Sequence, residues 1–408
     1  MRAAAFVYPW DITGDPAAAD RLAATGVAQA TLASSYHSTR ALTPRHPHHR
    51  VVTARHAAVY YPPGEDRWAG RPLRPYPHGR DWAPGEDPWG EAAASLAAAG
   101  LDVHTWVICA HNTRLGEEHP EITVTNAFGD RYPWAPCIAR PEVRAYVTTL
   151  AAEAAVRPGA RGTELESCGW YGLEHLHAHD KTGGGHLSGT AAFLMSLCFC
   201  GSCQEGYAAH GADPDLLRRR VTGALAPHWA GAPAPRAASR AEERDGIRRA
   251  LGEELADAVA AWRTAAAGRL QREAVAAVRE EARRAGADGF RVMLHADPAP
   301  HRCGANVGVD PAGVLSHADG VVLPCPPGPD GEAGRAAVIE PFVPYRRSHS
   351  VLAANLTIVS GMGGSPGTLA ADAAHAAGLG ADELRLYHAG LANDDDLRQV
   401  TAALATLG

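Results

Sequence analysis

Short apolar runs alternate with alanine-rich segments along the chain, and this alternation predicts the fold. Each run is a few residues long, apolar on both faces and closed by polar residues, which is typical of a strand in a parallel sheet. The segments between the runs have helical periodicity. The predicted strands are 5–8, 28–33, 103–109, 162–166, 290–294, 320–323, 356–359 and 384–387, and the predicted helices are 16–25, 90–99, 141–156, 187–209, 242–285 and 394–407.

Eight strand–helix units with polar residues at the strand C-termini predict an α/β fold, the TIM (β/α)8 barrel. A doubly wound sheet is disfavoured because no glycine-rich dinucleotide turn follows the first strand. We expect one barrel domain over residues 1–408 with two long insertions. The first, 39–88, follows the second strand and contains a candidate extra strand at 57–61. The second, 167–245, follows the fourth strand and carries a cysteine cluster.

Composition and charge narrow the class of protein. Of 408 residues, 46% are hydrophobic and 20% are charged, as in a globular protein with a large core. The net charge of −7 and the lack of a Lys/Arg stripe argue against a nucleic-acid partner. No signal peptide and no apolar run of membrane-spanning length is found, so we expect a cytoplasmic protein with reduced thiols and no membrane partner. A homo-oligomer is left open.

The fourth strand ends in two carboxylates. Glu164 and Glu166 are two residues apart, so both side chains point to the same face. Two like charges ~6–7 Å apart on a buried strand are costly, and a carboxyl pair with separated pKa values is what general acid/base chemistry uses. The structural alternative is a salt bridge from one of them to an arginine inside the barrel. The following loop contains His175, His177, His179 and Asp180, which suit either a lid or a metal site.

Cys198, Cys200 and Cys203 form a C-x-C-x-x-C motif in the second insertion. Three thiols this close in a reducing compartment predict zinc, and a structural zinc takes four tetrahedral ligands. Cys137, in the loop before a predicted barrel helix, is the first choice for the fourth ligand, and Cys168 is the second. A closed site with four thiolates would be structural.

This motif, together with Cys137 in the segment CIARPEVR (137–144), resembles glycoside hydrolase family 42 β-galactosidases and related hydrolase-like barrels. The resemblance covers mainly residues 130–210. It implies that Cys137, Cys198, Cys200 and Cys203 bind zinc, and that the acid/base is Glu166, or Glu164, at the end of the fourth strand. The nucleophilic glutamate of that family ends the seventh strand, whereas residues 356–364 of this chain contain no carboxylate.

A glycosidase needs a second carboxylate, or a substrate group that replaces it. Glu164 is the first candidate, because the Glu-x-Glu spacing resembles the Asp-x-Glu of chitinase-like barrels, in which the first carboxylate orients an acetamido group. Asp297, at the end of the fifth strand, is the second candidate, and Asp11, at the end of the first strand, is an alternative to it. Glu340 would serve only if its segment folds over the barrel mouth.

Histidines and aromatic residues gather at the predicted strand ends, where a barrel brings them around one cavity. Polar rings of this kind hydrogen-bond sugar hydroxyls, and tryptophan faces stack on sugar rings. An alternative is a catalytic divalent metal held by His37, His111, Glu166 and His295. The expected substrate-binding residues are Trp10, Asp11, Tyr36, His37, His111, Asn112, Trp170, His295 and His388.

We therefore predict a glycoside hydrolase that cleaves a small glycoside or amino-sugar conjugate. Glu166 is the predicted proton donor, Glu164 or Asp297 is the second carboxylate, and a structural zinc lies beside the site. Two alternatives come from other classes of protein: a metal-dependent sugar isomerase or lyase, and a non-catalytic carbohydrate-binding barrel. The carboxylate missing from the seventh strand favours the last of these.

Overall fold

The computed structural model describes residues 1–83, 85–173, 180–185, 187–233 and 237–407. The strands in these ranges are β1 Arg2–Val7, β2 Gln29–Tyr36, β3 Thr39–Leu42, β4 Val51–Ala54, β5 Ala58–Val59, β6 Asp102–Ile108, β7 Thr123–Thr125, β8 Arg131–Pro136, β9 Gly162–Glu166, β10 Arg291–Asp297, β11 Val307–Gly308, β12 Gly320–Pro324, β13 Val351–Thr357 and β14 Glu383–Tyr387. The helices are α1 Pro9–Ile12, α2 Ala18–Ala23, α3 Glu65–Trp68, α4 Pro88–Ala98, α5 Thr113–Glu118, α6 Pro141–Ala155, α7 Gly189–Met195, α8 Gly201–Ala209, α9 Pro214–Trp229, α10 Arg240–Leu251, α11 Glu253–Arg284, α12 Pro311–Leu315, α13 Glu332–Ile339, α14 Leu369–Gly378 and α15 Asp394–Leu407.

Eight strands form a closed parallel barrel in the order β1, β2, β6, β9, β10, β12, β13 and β14, and β14 pairs with β1. Helices cover the outside, so the strands are buried on both faces and can be apolar throughout. The predicted TIM barrel is confirmed. Its consequence for function is that the C-terminal ends of all eight strands meet around one mouth.

Each predicted barrel strand overlaps an observed one, but the seventh was placed too late in the chain. It was predicted at 356–359, whereas β13 spans Val351–Thr357. The part of β13 before residue 356 contains Ala353, Ala354 and Asn355, which are buried in the barrel. Alanine is common in every segment of this chain, so it does not mark a strand as valine or isoleucine does.

Two long predicted helices are each two helices. The segment 187–209 divides into α7 and α8, and the break between them contains Cys198 and Cys200. The segment 242–285 divides into α10 and α11 at Gly252, whose φ of +84° is a conformation that a residue with a side chain adopts at a cost. The helical periodicity of the sequence continues through such a break. The boundary between the two helices therefore could not be predicted from that periodicity.

The segment after β2 lies across the barrel mouth near the ends of β1 and β14. It begins with the antiparallel hairpin β3–β4. Arg45, between these two strands, donates hydrogen bonds to the carbonyl groups of Ala389, Gly390 and Ala392 at 3.2, 3.3 and 3.1 Å. The hairpin is therefore anchored to the loop that follows β14.

Within the ranges described above, none of the helices is both long enough and apolar enough to cross a bilayer.

Candidate active site

Glu166 is the last residue of β9, and its carboxyl group lies among aromatic rings at the barrel mouth. The residue is 2% exposed. Trp106 Nε1 donates a hydrogen bond to Oε2 at 2.8 Å, and Tyr387 Oη is 3.3 Å from Oε1 and 3.2 Å from Oε2. Nδ1 of His295 lies 3.5 Å from Oε2. Three neighbouring side chains therefore fix the position of this carboxyl group.

The environment of Glu166 favours its protonated form. Burial raises the pKa of Glu166 to about 7. The hydrogen bonds from Trp106 and Tyr387 oppose this rise, and the charge of Glu164 adds to it. Phe6 and Tyr36 exclude water, since each ring centroid lies 4.7 Å from that of Trp106. A carboxyl group with a pKa near 7 can both donate and accept a proton at neutral pH.

Beside Glu166, hydroxyl groups and a histidine form a short hydrogen-bonded chain. Tyr8 Oη donates to Tyr36 Oη at 2.9 Å, and Nδ1 of His388 lies 2.9 Å from Tyr8 Oη. Burial lowers the pKa of both His388 and His295 to about 3. Both imidazoles are therefore neutral at physiological pH, and that of His388 is hydrogen-bonded to Tyr8.

Two strained residues follow the pair formed by Glu166 and Tyr387. Among the described residues, Ser167 (φ +58°) and His388 (φ +61°) are the two non-glycine residues with positive φ. Each comes directly after one member of the pair. A left-handed conformation costs a residue with a side chain about 1–2 kcal/mol, and such strain is concentrated at functional sites.

Glu164 lies deeper in the barrel and is held in an ion pair. Arg385 Nε donates to its Oε1 at 2.7 Å, and Nη1 of the same arginine donates to Glu383 Oε2 at 2.9 Å. Glu383 also forms an ion pair with Arg291, whose Nη1 lies 3.1 Å from Glu383 Oε1. Burial opposes the charged form of Arg385, but the two glutamates outweigh this and hold the pKa of Arg385 above its ordinary value. Two carboxylates and two guanidinium groups thus form a chain along the barrel interior.

The other predicted carboxylates are engaged elsewhere. Asp297 accepts a forked pair of hydrogen bonds from Arg240, with Nε at 3.0 Å from Oδ1 and Nη2 at 2.5 Å from Oδ2. Asp11 accepts from the Tyr8 backbone N–H at 2.8 Å in the first turn of α1, and burial raises the pKa of Asp11 to about 7. Glu340 is exposed in a 3₁₀ turn that packs against α12 and α13, in the outer layer of the barrel.

The predicted substrate-binding residues separate into two groups. Tyr36, His295 and His388 lie around Glu166. Trp10 lies next to this group, because its ring stacks on that of Tyr8 with the ring centroids 4.5 Å apart. His37 and His111 form a neighbouring pair, with ring centroids 4.9 Å apart.

Asn112 and Trp170 have local structural partners. The Asn112 side chain caps α5 by accepting from Leu115 N at 3.0 Å. Trp170 Nε1 donates to the carbonyl group of Arg263 at 2.9 Å, so this ring packs against α11.

The predicted catalytic metal site is not formed by the described residues. In these ranges, His37, His111, Glu166 and His295 do not come together as a group of metal ligands. His175, His177 and His179 lie outside the described residues, whereas Asp180 lies within them.

Four cysteines do come together. The Sγ atoms of Cys137, Cys198, Cys200 and Cys203 lie within 4.8 Å of one another and are buried. Cys137 Sγ is 3.7 Å from Cys200 Sγ and 3.6 Å from Cys203 Sγ. Four sulfurs at ~2.3 Å from one zinc ion would be roughly 3.8 Å apart, whereas a disulfide requires about 2.05 Å. The cluster could hold a metal, and Cys168 is not part of it.

Sequence reasoning missed Trp106, Tyr387 and Arg385. The period of two along a strand would have found the last two, since Tyr387 ends β14 and Arg385 is two residues earlier on the same face. These two residues contact Glu164 and Glu166 of β9, and each contact joins residues that are 221 positions apart in the sequence. A pattern within one segment does not contain that information.

Comparison with known proteins finds solved structures of similar fold. No protein-family model and no curated protein matches the chain. It is similar to a catalytic mutant of a glycoside hydrolase family 42 β-galactosidase from G. stearothermophilus, with 12% identity and a TM-score of 0.55 over 100% of this chain and 56% of that one. It is also similar to α-L-fucosidase isoenzyme 2 from Paenibacillus thiaminolyticus, with 13% identity and a TM-score of 0.54 over 100% of this chain and 49% of that one.

A third similar structure has nearly the same extent as this chain. The glycoside hydrolase domain of PgaB (BpsB) from Bordetella bronchiseptica is 12% identical, with a TM-score of 0.51 over 99% of this chain and 98% of that domain. The chain therefore spans about half of the β-galactosidase and fucosidase chains and nearly all of the third. At this level of identity the likeness shows the fold alone, which is the TIM barrel.

Proposed function

We propose that the chain is a glycoside hydrolase in which Glu166 is the general acid and base. The observation that carries the proposal is a carboxyl group with a pKa of about 7, fixed by Trp106 and Tyr387 at the mouth of a TIM barrel. The similar solved structures support the class of enzyme, since each is a glycoside hydrolase.

The expected first step is proton transfer from Glu166 to the glycosidic oxygen as the bond to the anomeric carbon breaks. The carboxylate that forms is stabilised by the N–H of Trp106 and the O–H of Tyr387. Glu166 then takes a proton from water in the second step. Because Glu166 is 2% exposed, a substrate reaches it only when a covering side chain moves.

The mechanism also needs a group that acts as the nucleophile at the anomeric carbon. Glu164 is paired with Arg385 and Asp297 with Arg240, so neither is available as a nucleophile without losing its guanidinium partner. We infer that the substrate supplies the nucleophile, as in substrate-assisted glycosidases. A 2-acetamido oxygen would bond to the anomeric carbon while the leaving group takes the proton of Glu166. This favours an amino-sugar conjugate over a simple glycoside.

A panel of aryl glycosides tests this function. The wild-type protein should hydrolyse a 2-acetamido-2-deoxy glycoside and leave the matched 2-hydroxy glycoside uncleaved. Glu166→Gln should lower kcat by at least ~10²-fold, the scale of general acid catalysis, without changing the melting temperature by more than a few degrees. Glu332→Gln, an exposed substitution in α13, is the matched control and should leave kcat unchanged. Equal turnover by Glu166→Gln and wild type would refute the assignment.

We further propose that Cys137, Cys198, Cys200 and Cys203 hold a structural zinc ion. A four-thiolate site is closed, so the ion would supply folding energy rather than chemistry. It would tie the loop before α6 to the segment between α7 and α8. Metal analysis should give one zinc per chain, and Cys203→Ser should lose the ion and lower the melting temperature, whereas Cys325→Ser should retain it. Cys325 lies outside the cluster.

The non-catalytic carbohydrate-binding barrel is the second candidate. It is favoured by the small exposure of Glu166 and by the ion pairs that occupy Glu164 and Asp297. Calorimetry with the same glycosides separates the two functions, because this candidate predicts binding without turnover for every sugar in the panel.

A further inference from the structure

Cys303 differs from every other cysteine of the chain. The other seven are buried, whereas Cys303, in the loop between β10 and β11, is partly exposed. Arg263 Nη2 donates a hydrogen bond to its Sγ at 3.0 Å. A thiol beside a guanidinium group is favoured in its thiolate form, which is the nucleophilic form.

Arg263 is itself unusual, because it is a buried cation for which the described residues supply no carboxylate. It is 2% exposed, and its guanidinium carbon lies 4.6 Å from the centroid of the Trp170 ring and 5.3 Å from that of Phe193. Its Nε and Nη1 have no hydrogen-bond partner among the described residues. A buried charge without a partner is costly, so these donors indicate an anionic group at this position. The thiolate of Cys303 is one such group, and an oxygen bound to its sulfur would be another.

We propose that Cys303 is a reactive thiolate that is oxidised by hydroperoxides. The sulfur attacks the terminal oxygen of the peroxide, the S–O bond forms as the O–O bond breaks, and the thiolate loses two electrons. The peroxide is reduced to an alcohol or to water, with the proton taken from solvent. The product is a sulfenic acid, whose oxygen can accept a hydrogen bond from Arg263.

This modification site is connected to the loop that follows Glu166. Gly304 N donates to the carbonyl group of Trp170 at 2.9 Å, and Ser167 N donates to that of Ala305 at 2.9 Å. These two bonds link the loop of Cys303 to the segment that follows Glu166. Oxidation of Cys303 would add a polar oxygen where the two loops meet, next to the strained Ser167.

Other ionisable groups among the described residues lie near the Cys303 loop. Burial raises the pKa of Tyr171 above its ordinary value, and the charges of Glu166 and Cys303 raise it further. Glu243 of α10 is the nearby carboxylate, and it is paired with His301 Nε2 at 2.8 Å and Arg302 Nη2 at 2.9 Å. Among the described residues, Arg263 is thus a cation that donates a hydrogen bond directly to the sulfur.

The pH dependence of alkylation tests the first half of the proposal. Native wild-type protein is treated with iodoacetamide between pH 5 and pH 9, and the labelled peptide is identified by mass spectrometry. We expect Cys303 to react first, with a rate that levels off below the usual thiol range of about 8.5. Arg263→Met should react roughly tenfold more slowly at pH 6.5, and Arg263→Lys should recover most of the rate. A profile like that of a free thiol, or first reaction at another cysteine, would overturn the proposal even if Arg263→Met fails to fold.

Peroxide treatment tests the second half. One equivalent of hydrogen peroxide followed by a 1,3-dione trap should label Cys303 in the wild type and in Cys325→Ser, and should label nothing in Cys303→Ser. Fast alkylation without a trapped sulfenic acid would refute the oxidation step. Neither readout needs glycoside turnover, so this proposal can fail or succeed independently of the proposed activity.

Discussion

Glu164 and Glu166 lie two residues apart on the same face of β9, yet their carboxyl groups have different partners. Oε1 of Glu164 accepts a hydrogen bond from Arg385 Nε at 2.7 Å, and Arg385 also forms an ion pair with Glu383. Glu166 meets an indole N–H, a phenol and a neutral imidazole. Two residues along one strand therefore separate a carboxylate that is paired with a cation from a carboxyl group whose pKa is about 7.

This difference shows why a pair of carboxylates is not by itself a catalytic pair. Burial raises the pKa of both groups, but the environment of Glu164 supplies a compensating charge and that of Glu166 supplies only hydrogen bonds. In our account Glu166 exchanges protons, whereas Glu164 is a positioning residue that acts through its charge. Substitutions at Arg385, Glu164 and Tyr387 test this division of roles.

Arg385→Met should be the most damaging substitution for stability. It leaves Glu164 buried without its guanidinium partner, and breaking a buried ion pair in this way costs about 3–5 kcal/mol. Chemical denaturation measures the loss. The double variant Arg385→Met with Glu164→Gln removes both charges and should recover more than half of it. Equal stability of the single and double variants would show that the pair does not hold Glu164 in a charged form.

Glu164→Gln should retain activity within about tenfold of wild type but change its pH dependence. The substitution removes a negative charge beside Glu166, so the pKa of Glu166 falls. Because the first step needs protonated Glu166, the alkaline limb of the kcat/KM profile should move to lower pH. If this variant instead lost as much activity as Glu166→Gln at every pH, Glu164 would be a reacting group. The assignment of different roles to the two glutamates would then be wrong.

Tyr387→Phe should have the smallest effect on activity, and it should shift the pH profile in the direction opposite to that of Glu164→Gln. It removes a hydrogen bond that lowers the pKa of Glu166, so that pKa rises and the alkaline limb moves to higher pH. A single hydrogen bond to a charged group contributes about 1.5–3 kcal/mol, so the pKa of Glu166 should shift upward by about 1–2 units at most. Tyr345→Phe, at a residue that is 50% exposed, is the matched control and should not shift the profile. A downward shift for Tyr387→Phe would contradict the assigned hydrogen bond.

The sequence contains most of the information needed for the barrel. Apolar runs that end on polar residues predicted all eight barrel strands, because a strand buried on both faces has a local signature. The helix breaks at Gly252 and at Cys198 were missed, since periodicity is insensitive to a short interruption. The cysteine cluster was predicted as a set of four, because three of its members are close in sequence and only Cys137 had to be chosen.

The site was predictable only in part. The period of two placed Glu164 and Glu166 on one face, but it could not assign different roles to them. That assignment depends on Arg385 and Tyr387, which are 221 residues away and come close only when β14 closes the barrel through its pairing with β1. The environment of a buried charge is a property of the closed barrel, so it lies outside what a local pattern can show.

A direct titration of Glu166 tests the central claim. The carboxyl stretching band of this residue can be isolated from infrared difference spectra of the wild type and Glu166→Gln, recorded from pH 4 to pH 9. Our account predicts a midpoint near 7, well above the ordinary glutamate value of about 4.3. A midpoint near the ordinary value would mean that Glu166 is ionised at neutral pH, and it would contradict the role of this residue as the proton donor.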